Sequence, residues 1–145
     1  MTKGSLIIDT SFIMPTLGVD IGEEVLKCIS LFDNYDIFYI EASILEAMWK
    51  LVKLIRNDED MVRVMNGLEA VKSRYHLIIP TPQEYIYAYK VYSLGHRDYI
   101  DALLYSVSYM RKKSLLTLDM ELIQFIRENG LDARYIITPT EFLKK

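Results

Sequence analysis

Apolar residues recur along this chain in two alternating rhythms. Five short runs are apolar at nearly every position: SLII at 5 to 8, DIFYI at 36 to 40, HLIIP at 76 to 80, SLLTL at 114 to 118 and RYIIT at 134 to 138. Runs of this length that are apolar toward both sides suit strands of a parallel sheet covered on both faces. Between them the period lengthens to that of a helix. Ile44, Leu45, Met48, Leu51, Val52 and Ile55 fall on one helical face, and Met61, Val64, Met65, Leu68 and Val71 on another. Residues 82 to 94 and 98 to 112 continue as helices separated at Gly95, residues 120 to 129 form another that Asn129-Gly130 terminates, and Pro139-Thr140-Glu141 opens a last short one. The order β-α-β-α-α-β-α-α-β-α-β-α predicts an α/β fold, a three-layer α/β/α sandwich around a central five-stranded, mostly parallel sheet with right-handed crossovers.

Composition adds few constraints but useful ones. At 145 residues, 51% hydrophobic and 26% charged, the chain reads as one globular domain over 1 to 145, with no repeat, linker or low-complexity segment. Cys28 is the only cysteine, which excludes an intrachain disulfide, and with two histidines a Cys/His zinc site lacks ligands. No apolar run approaches the roughly 18 residues of a membrane span, and Met1 to Gly4 lead into the first strand without a signal-peptide core. The expected setting is a reducing cytoplasm, with no membrane partner. A net charge of −3 argues against a broad basic surface that holds nucleic acid by charge alone.

The chemistry suggested by the sequence is acidic. In an open parallel sheet, ligands gather at the carboxyl ends of the strands. Asp9 stands at the end of the first run and Asp119 just after the fourth, so both carboxylates fall at one edge. The second strand feeds EASILEAMWKL, with Glu41 and Glu46 in its first turns. The helix before the fourth strand opens HRDYIDALL, which places Asp98 and Asp101 three residues apart on one face. Each acid also has a purely structural reading. Asp9, Asp98 and Asp119 suit helix caps, and Glu46 is spaced to pair with Lys50. Four carboxylates at one edge without a balancing basic cluster would repel one another, a conflict that a hard divalent cation resolves. Oxygen donors favour Mg²⁺ or Mn²⁺, and phosphoryl transfer is the reaction that suits them.

The segments IIDTSFI, SILEAMWKL, DYIDALLYSVSY and LLTLD, in this order and spacing over nearly the whole chain, resemble the PIN-domain ribonucleases. Among these, the single-domain toxins of VapBC toxin-antitoxin pairs are nearest in size. The resemblance implies a Mg²⁺- or Mn²⁺-dependent endoribonuclease acting on RNA, with Asp9, Glu46, Asp101 and Asp119 matching the family's acidic quartet. Glu41 does not match. Ser11 and Thr117 occupy places where the family often carries hydroxyls, which would orient ligands or water. Asp98 is an additional acid, either supporting the metal site or capping its helix. The resemblance further implies a homodimer blocked by an antitoxin protein.

His96 and Arg97 precede the Asp98 helix. Arg97 suits an RNA phosphate and His96 a proton transfer, against the reading of both as ordinary surface polars. Tyr85, Tyr89 and Tyr92 share a helical face that suits core packing or a dimer contact, and Met48, Met61 and Met65 suit a partner groove or, as Met on an apolar face more often does, the core. The alternative function is a PIN-like scaffold or interaction module in RNA processing. A haloacid-dehalogenase-type phosphatase fits less well, because Asp9-Thr10-Ser11 lacks the second acid of D-x-D.

Overall fold

The computed structural model describes residues 3–144. Five strands, β1 (Gly4–Ile8), β2 (Tyr35–Ile40), β3 (His76–Ile78), β4 (Ser114–Leu116) and β5 (Ile136–Ile137), form one sheet in the order β3-β2-β1-β4-β5. Every neighbouring pair is parallel, so the expectation of a mostly parallel sheet resolves to an all-parallel one. Seven α-helices accompany it among the described residues: α1 (Glu23–Ile29), α2 (Glu41–Leu51), α3 (Asp58–Arg74), α4 (Pro82–Ser93), α5 (Tyr99–Arg111), α6 (Met120–Glu128) and α7 (Pro139–Leu143). No helix among them is long and apolar enough to cross a membrane.

The two-sided apolar character of the strands follows from the alternation of side chains across a pleat. Leu6 and Ile8 of β1, Ile37 and Tyr39 of β2 and Leu116 of β4 enter one buried cluster with α1, α2, α3 and α7. Ile7, Ile40, Ile78 and Leu115 point the other way, into a second cluster with α4, α5 and α6. These two cores on opposite faces of the sheet make the three layers.

Strand ends depart from the sequence reading in both directions: β1 and β2 each begin one residue earlier, at Gly4 and Tyr35, than the runs at 5 to 8 and 36 to 40. β3, β4 and β5 are shorter than the runs 76 to 80, 114 to 118 and 134 to 138. β4 ends at Leu116, although the Thr117 N–H still donates to the Ile137 carbonyl of β5 at 3.2 Å. Short 3-10 turns at Thr10–Phe12 and Met14–Leu17 were not expected; they fold the apolar stretch after Asp9 back over the first core. There α3 packs so closely that a Cβ on Gly67 would lie 2.3 Å from the carbonyl oxygen of Thr16. Tyr85, Tyr89 and Tyr92 are exposed rather than core, as are Met61 and Met65, because α4 and α3 turn their other faces inward.

The sheet order puts the topological switch between β1 and β4. Connections from β1 run outward to β2 and β3 on one side, and the chain then crosses to β4 and β5 on the other. A crevice forms outside the carboxyl ends of strands at such a point.

Candidate metal centre

Parallel pairing of β1 with β4, with Ile8 opposite Leu116, sends both chains out of the sheet at the same edge. Asp9 follows Ile8 directly and is buried, at 7% exposure. Its Oδ1 accepts the Ser11 N–H at 2.9 Å, and its Oδ2 accepts the Thr117 hydroxyl at 2.6 Å and the Leu118 N–H at 3.2 Å. Burial outweighs these three donors and raises the carboxyl pKa from 3.8 to about 6.

Thr117 Oγ1 also accepts the backbone N–H of Asp119 at 3.0 Å, so one hydroxyl ties the two strand-end acids together. Asp119 caps α6 by accepting the Leu122 N–H at 3.1 Å. Asp98 caps α5, accepting the N–H groups of Ile100 and Asp101 at 2.9 and 3.2 Å. Asp101 therefore leaves the first turn of α5 with its direction fixed by the cap beneath it. On α2, Glu46 accepts the hydroxyl of Thr10. No Glu46–Lys50 ion pair forms among the described residues. Glu41 belongs elsewhere, paired with Lys72 at 2.9 Å.

Asp9, Ser11, Glu46, Asp98, Asp101 and Asp119 thus line one cleft, together with Thr10, Lys50 and Leu118. A second cleft shares Asp98, Asp101 and Asp119 with the first and is completed by Gly95, His96, Arg97, Glu121 and Phe125. Structural and functional readings of the acids coincide here, since three of them cap helices and still face the same crevice. The capping residue and the helix N-terminus behind it help an edge of the sheet tolerate several carboxylates.

Electrostatics show the strain that remains. Asp101 is held well above the ordinary carboxylate range, first by burial, then by its contact with Asp119 and by the charges of Asp98, Asp119 and Glu46. Asp119 moves the other way, lowered chiefly by its hydrogen bond with the Asp101 carboxyl. The pair therefore holds one proton more readily than two isolated carboxylates would. A divalent cation would replace that proton. The donor set fits one: carboxylate oxygens suit Mg²⁺ and Mn²⁺, and donor atoms of His96, Asp101 and Asp119 all lie within 4.8 Å of one another.

Two contributors differ from the sequence reading. His96 is buried, at 8% exposure, with Nε2 facing Asp101, rather than an ordinary surface polar. Thr10, which holds Glu46, carried no expectation, although the pair Thr10-Ser11 at a strand end was a visible sign of hydroxyls at this edge. Arg97 and Lys50 are exposed at the rims of the two clefts.

No family model matches the chain, and no curated protein matches its sequence. Solved structures share its fold. PAE2754 from Pyrobaculum aerophilum superposes with a TM-score of 0.66 at 19% identity, covering 97% of this chain and 94% of that one. A toxin-antitoxin complex from Klebsiella pneumoniae gives 0.66 at 11% identity, with coverage of 92% and 97%. FitAB bound to an IR36 DNA fragment gives 0.63 at 14% identity, with coverage of 92% and 94%. At these identities the likeness is one of fold.

Proposed function

We propose that this chain is a Mg²⁺- or Mn²⁺-dependent endoribonuclease of the PIN-domain type, hydrolysing RNA phosphodiesters as the cytoplasmic toxin of a toxin-antitoxin pair. The observation that carries the reading is the convergence of Asp9, Glu46, Asp101 and Asp119 on one cleft, with no lysine or arginine ion-paired to any of them among the described residues. A fold shared with a toxin-antitoxin complex supports the biological setting.

In this reading Asp9, Glu46, Asp101 and Asp119 hold the cation. A bound Mg²⁺ or Mn²⁺ supplies Lewis acidity toward a phosphodiester oxygen and a lowered pKa for attacking water. Thr117 and the Ser11 and Leu118 amides fix the Asp9 carboxylate, and Thr10 fixes Glu46, so that the acids meet the cation without reorganising. Asp98 aims Asp101 through the cap of α5, and Lys50 and Arg97 are placed at the rims to receive flanking phosphates. Exposed Leu45, Trp49, Met61, Val62 and Met65 on α2 and α3 suit an antitoxin, and exposed Tyr85, Ile86 and Tyr89 on α4 suit a second copy of the chain.

The test is a thermal melt of chelator-stripped protein against Mn²⁺ concentration, paired with cleavage of single-stranded RNA. A native-state site raises stability with metal, by about 2.7 kcal/mol at a hundredfold excess over Kd. Absence of any shift would leave the scaffold reading in its place, and undiminished cleavage by both Asp9→Asn and Asp101→Asn would refute the assignment of the acids.

A further inference from the structure

We propose that His96 supplies a nitrogen ligand to the cation held by Asp101 and Asp119, which makes the centre a mixed nitrogen-oxygen site that prefers Mn²⁺ to Mg²⁺. The inference rests on the carboxylate-centre reading above and specifies which metal that centre selects.

The placement of the imidazole is the argument. Gly95, just past the Leu94 cap of α4, takes a φ of 120°, a conformation open to glycine, and turns the next residue back toward the sheet edge. His96 is then packed against the Phe125 ring of α6, with centroids 5.0 Å apart, and is buried. Burying a polar ring is unfavourable unless its nitrogens are engaged. Its Nε2 faces Asp101 Oδ2 at 3.4 Å, longer than the 2.7–3.2 Å of a well-made N–H···O bond. Donor atoms that share one ion at ~2.1 Å are instead ~3 to 4 Å apart; the 3.4 Å between His96 and Asp101 falls in that range, and an Asp119 donor lies within 4.8 Å of both. The spacing suits common ligation better than a direct bond.

The choice of metal follows from the donor. Mg²⁺ takes oxygen ligands and keeps its waters, whereas an imidazole nitrogen is a better ligand for metals later in the divalent series, Mn²⁺ being the first of these.

Spin-echo modulation spectroscopy of the Mn²⁺-loaded protein reads the ligand directly. The wild type is expected to show imidazole ¹⁴N modulation, lost in His96→Gln and kept in His76→Gln, the other histidine lying on β3. Mn²⁺ affinity from thermal melts should fall by about tenfold or more in His96→Gln, with Mg²⁺ affinity nearly unchanged. Mn²⁺ binding without nitrogen modulation, modulation lost in His76→Gln, or an equal loss of both metals in His96→Gln would overturn the inference and leave the carboxylate centre standing. Failure of the wild type to bind Mn²⁺ at all would overturn both. Should His96→Gln not fold, the wild-type and His76→Gln spectra decide, because the chain has two histidines.

Discussion

The hydroxyl of Thr117 donates to Asp9 Oδ2 at 2.6 Å across 108 residues of sequence, and accepts the Asp119 N–H at 3.0 Å. This single oxygen sets the separation of the two strand-end acids. Thr117→Val keeps the shape and removes both bonds. The expected cost is about 1–3 kcal/mol in urea unfolding without metal, and a Mn²⁺ affinity lowered by about 10- to 100-fold. Thr117→Ser should restore most of both. Equal behaviour of the Val and Ser variants would show that the hydroxyl is not what matters.

Asp9→Asn and Asp101→Asn should separate. Asp9 accepts three hydrogen bonds, so the amide NH₂ of an asparagine meets a donor wherever it is turned, at a cost of about 1–3 kcal/mol. The Asp101 carboxyl is held well above its ordinary range by burial and by the neighbouring carboxylates, so a neutral asparagine relieves that repulsion. Metal-free melts at neutral pH should therefore show Asp9→Asn weakened and Asp101→Asn close to wild type. Both variants should lose the Mn²⁺-dependent rise in Tm.

Stability of the metal-free protein should fall as pH rises. Asp9 binds its proton more tightly in the folded chain, near pH 6, than at its ordinary 3.8, so the native state holds more proton between about pH 4 and 6. Its share of the loss across that window is on the order of 3 kcal/mol. Asp101, also raised, extends the decline to more alkaline pH. Melts in chelator from pH 4 to 9 should trace this fall, and saturating Mn²⁺ should reverse it by engaging the deprotonated carboxylates. A stability that rises steadily with pH in chelator would contradict the burial of these acids.

Far from the centre, the half-buried Arg111 pairs with the buried Glu84, its Nε 2.8 Å from Oε2, while Glu84 also completes the Thr81 capping box of α4. Arg111→Met leaves that carboxylate buried and unpaired, at an expected cost of about 3–5 kcal/mol in urea. Mn²⁺ affinity of the folded protein should be unchanged. A parallel loss of metal binding would mean that α4 and α5 shift as a unit with the centre.

Much of this organisation was legible in the residues. The run SLII has no polar face, which is why it reads as an interior strand, and Ile7 and Ile8 do enter different cores. Asp9 and Asp119 were readable from their places after strands, and Asp101 from its place in the first turn of α5. Glu46 was less so, because i+4 spacing to Lys50 competed with the long-range contact to Thr10 that the fold makes. The 3-10 turns at Thr10–Phe12 and Met14–Leu17 were hidden because TSFIMPTL carries neither helical nor strand periodicity. His96 was hidden for a related reason: in Gly-His-Arg-Asp it looks like part of a polar turn, and its burial is decided by Phe125 on a helix that follows much later.

The β1–β4 pairing also orders events during synthesis. A ribosome that has made β1 through β3 has released Asp9 and Glu46 but neither Thr117 nor Asp119, and the emerging polypeptide has no way to close the acidic crevice. On the function proposed above, RNA-cutting competence waits until β4 has been translated and has docked, so the machinery making this protein is spared its product while the message is still being read.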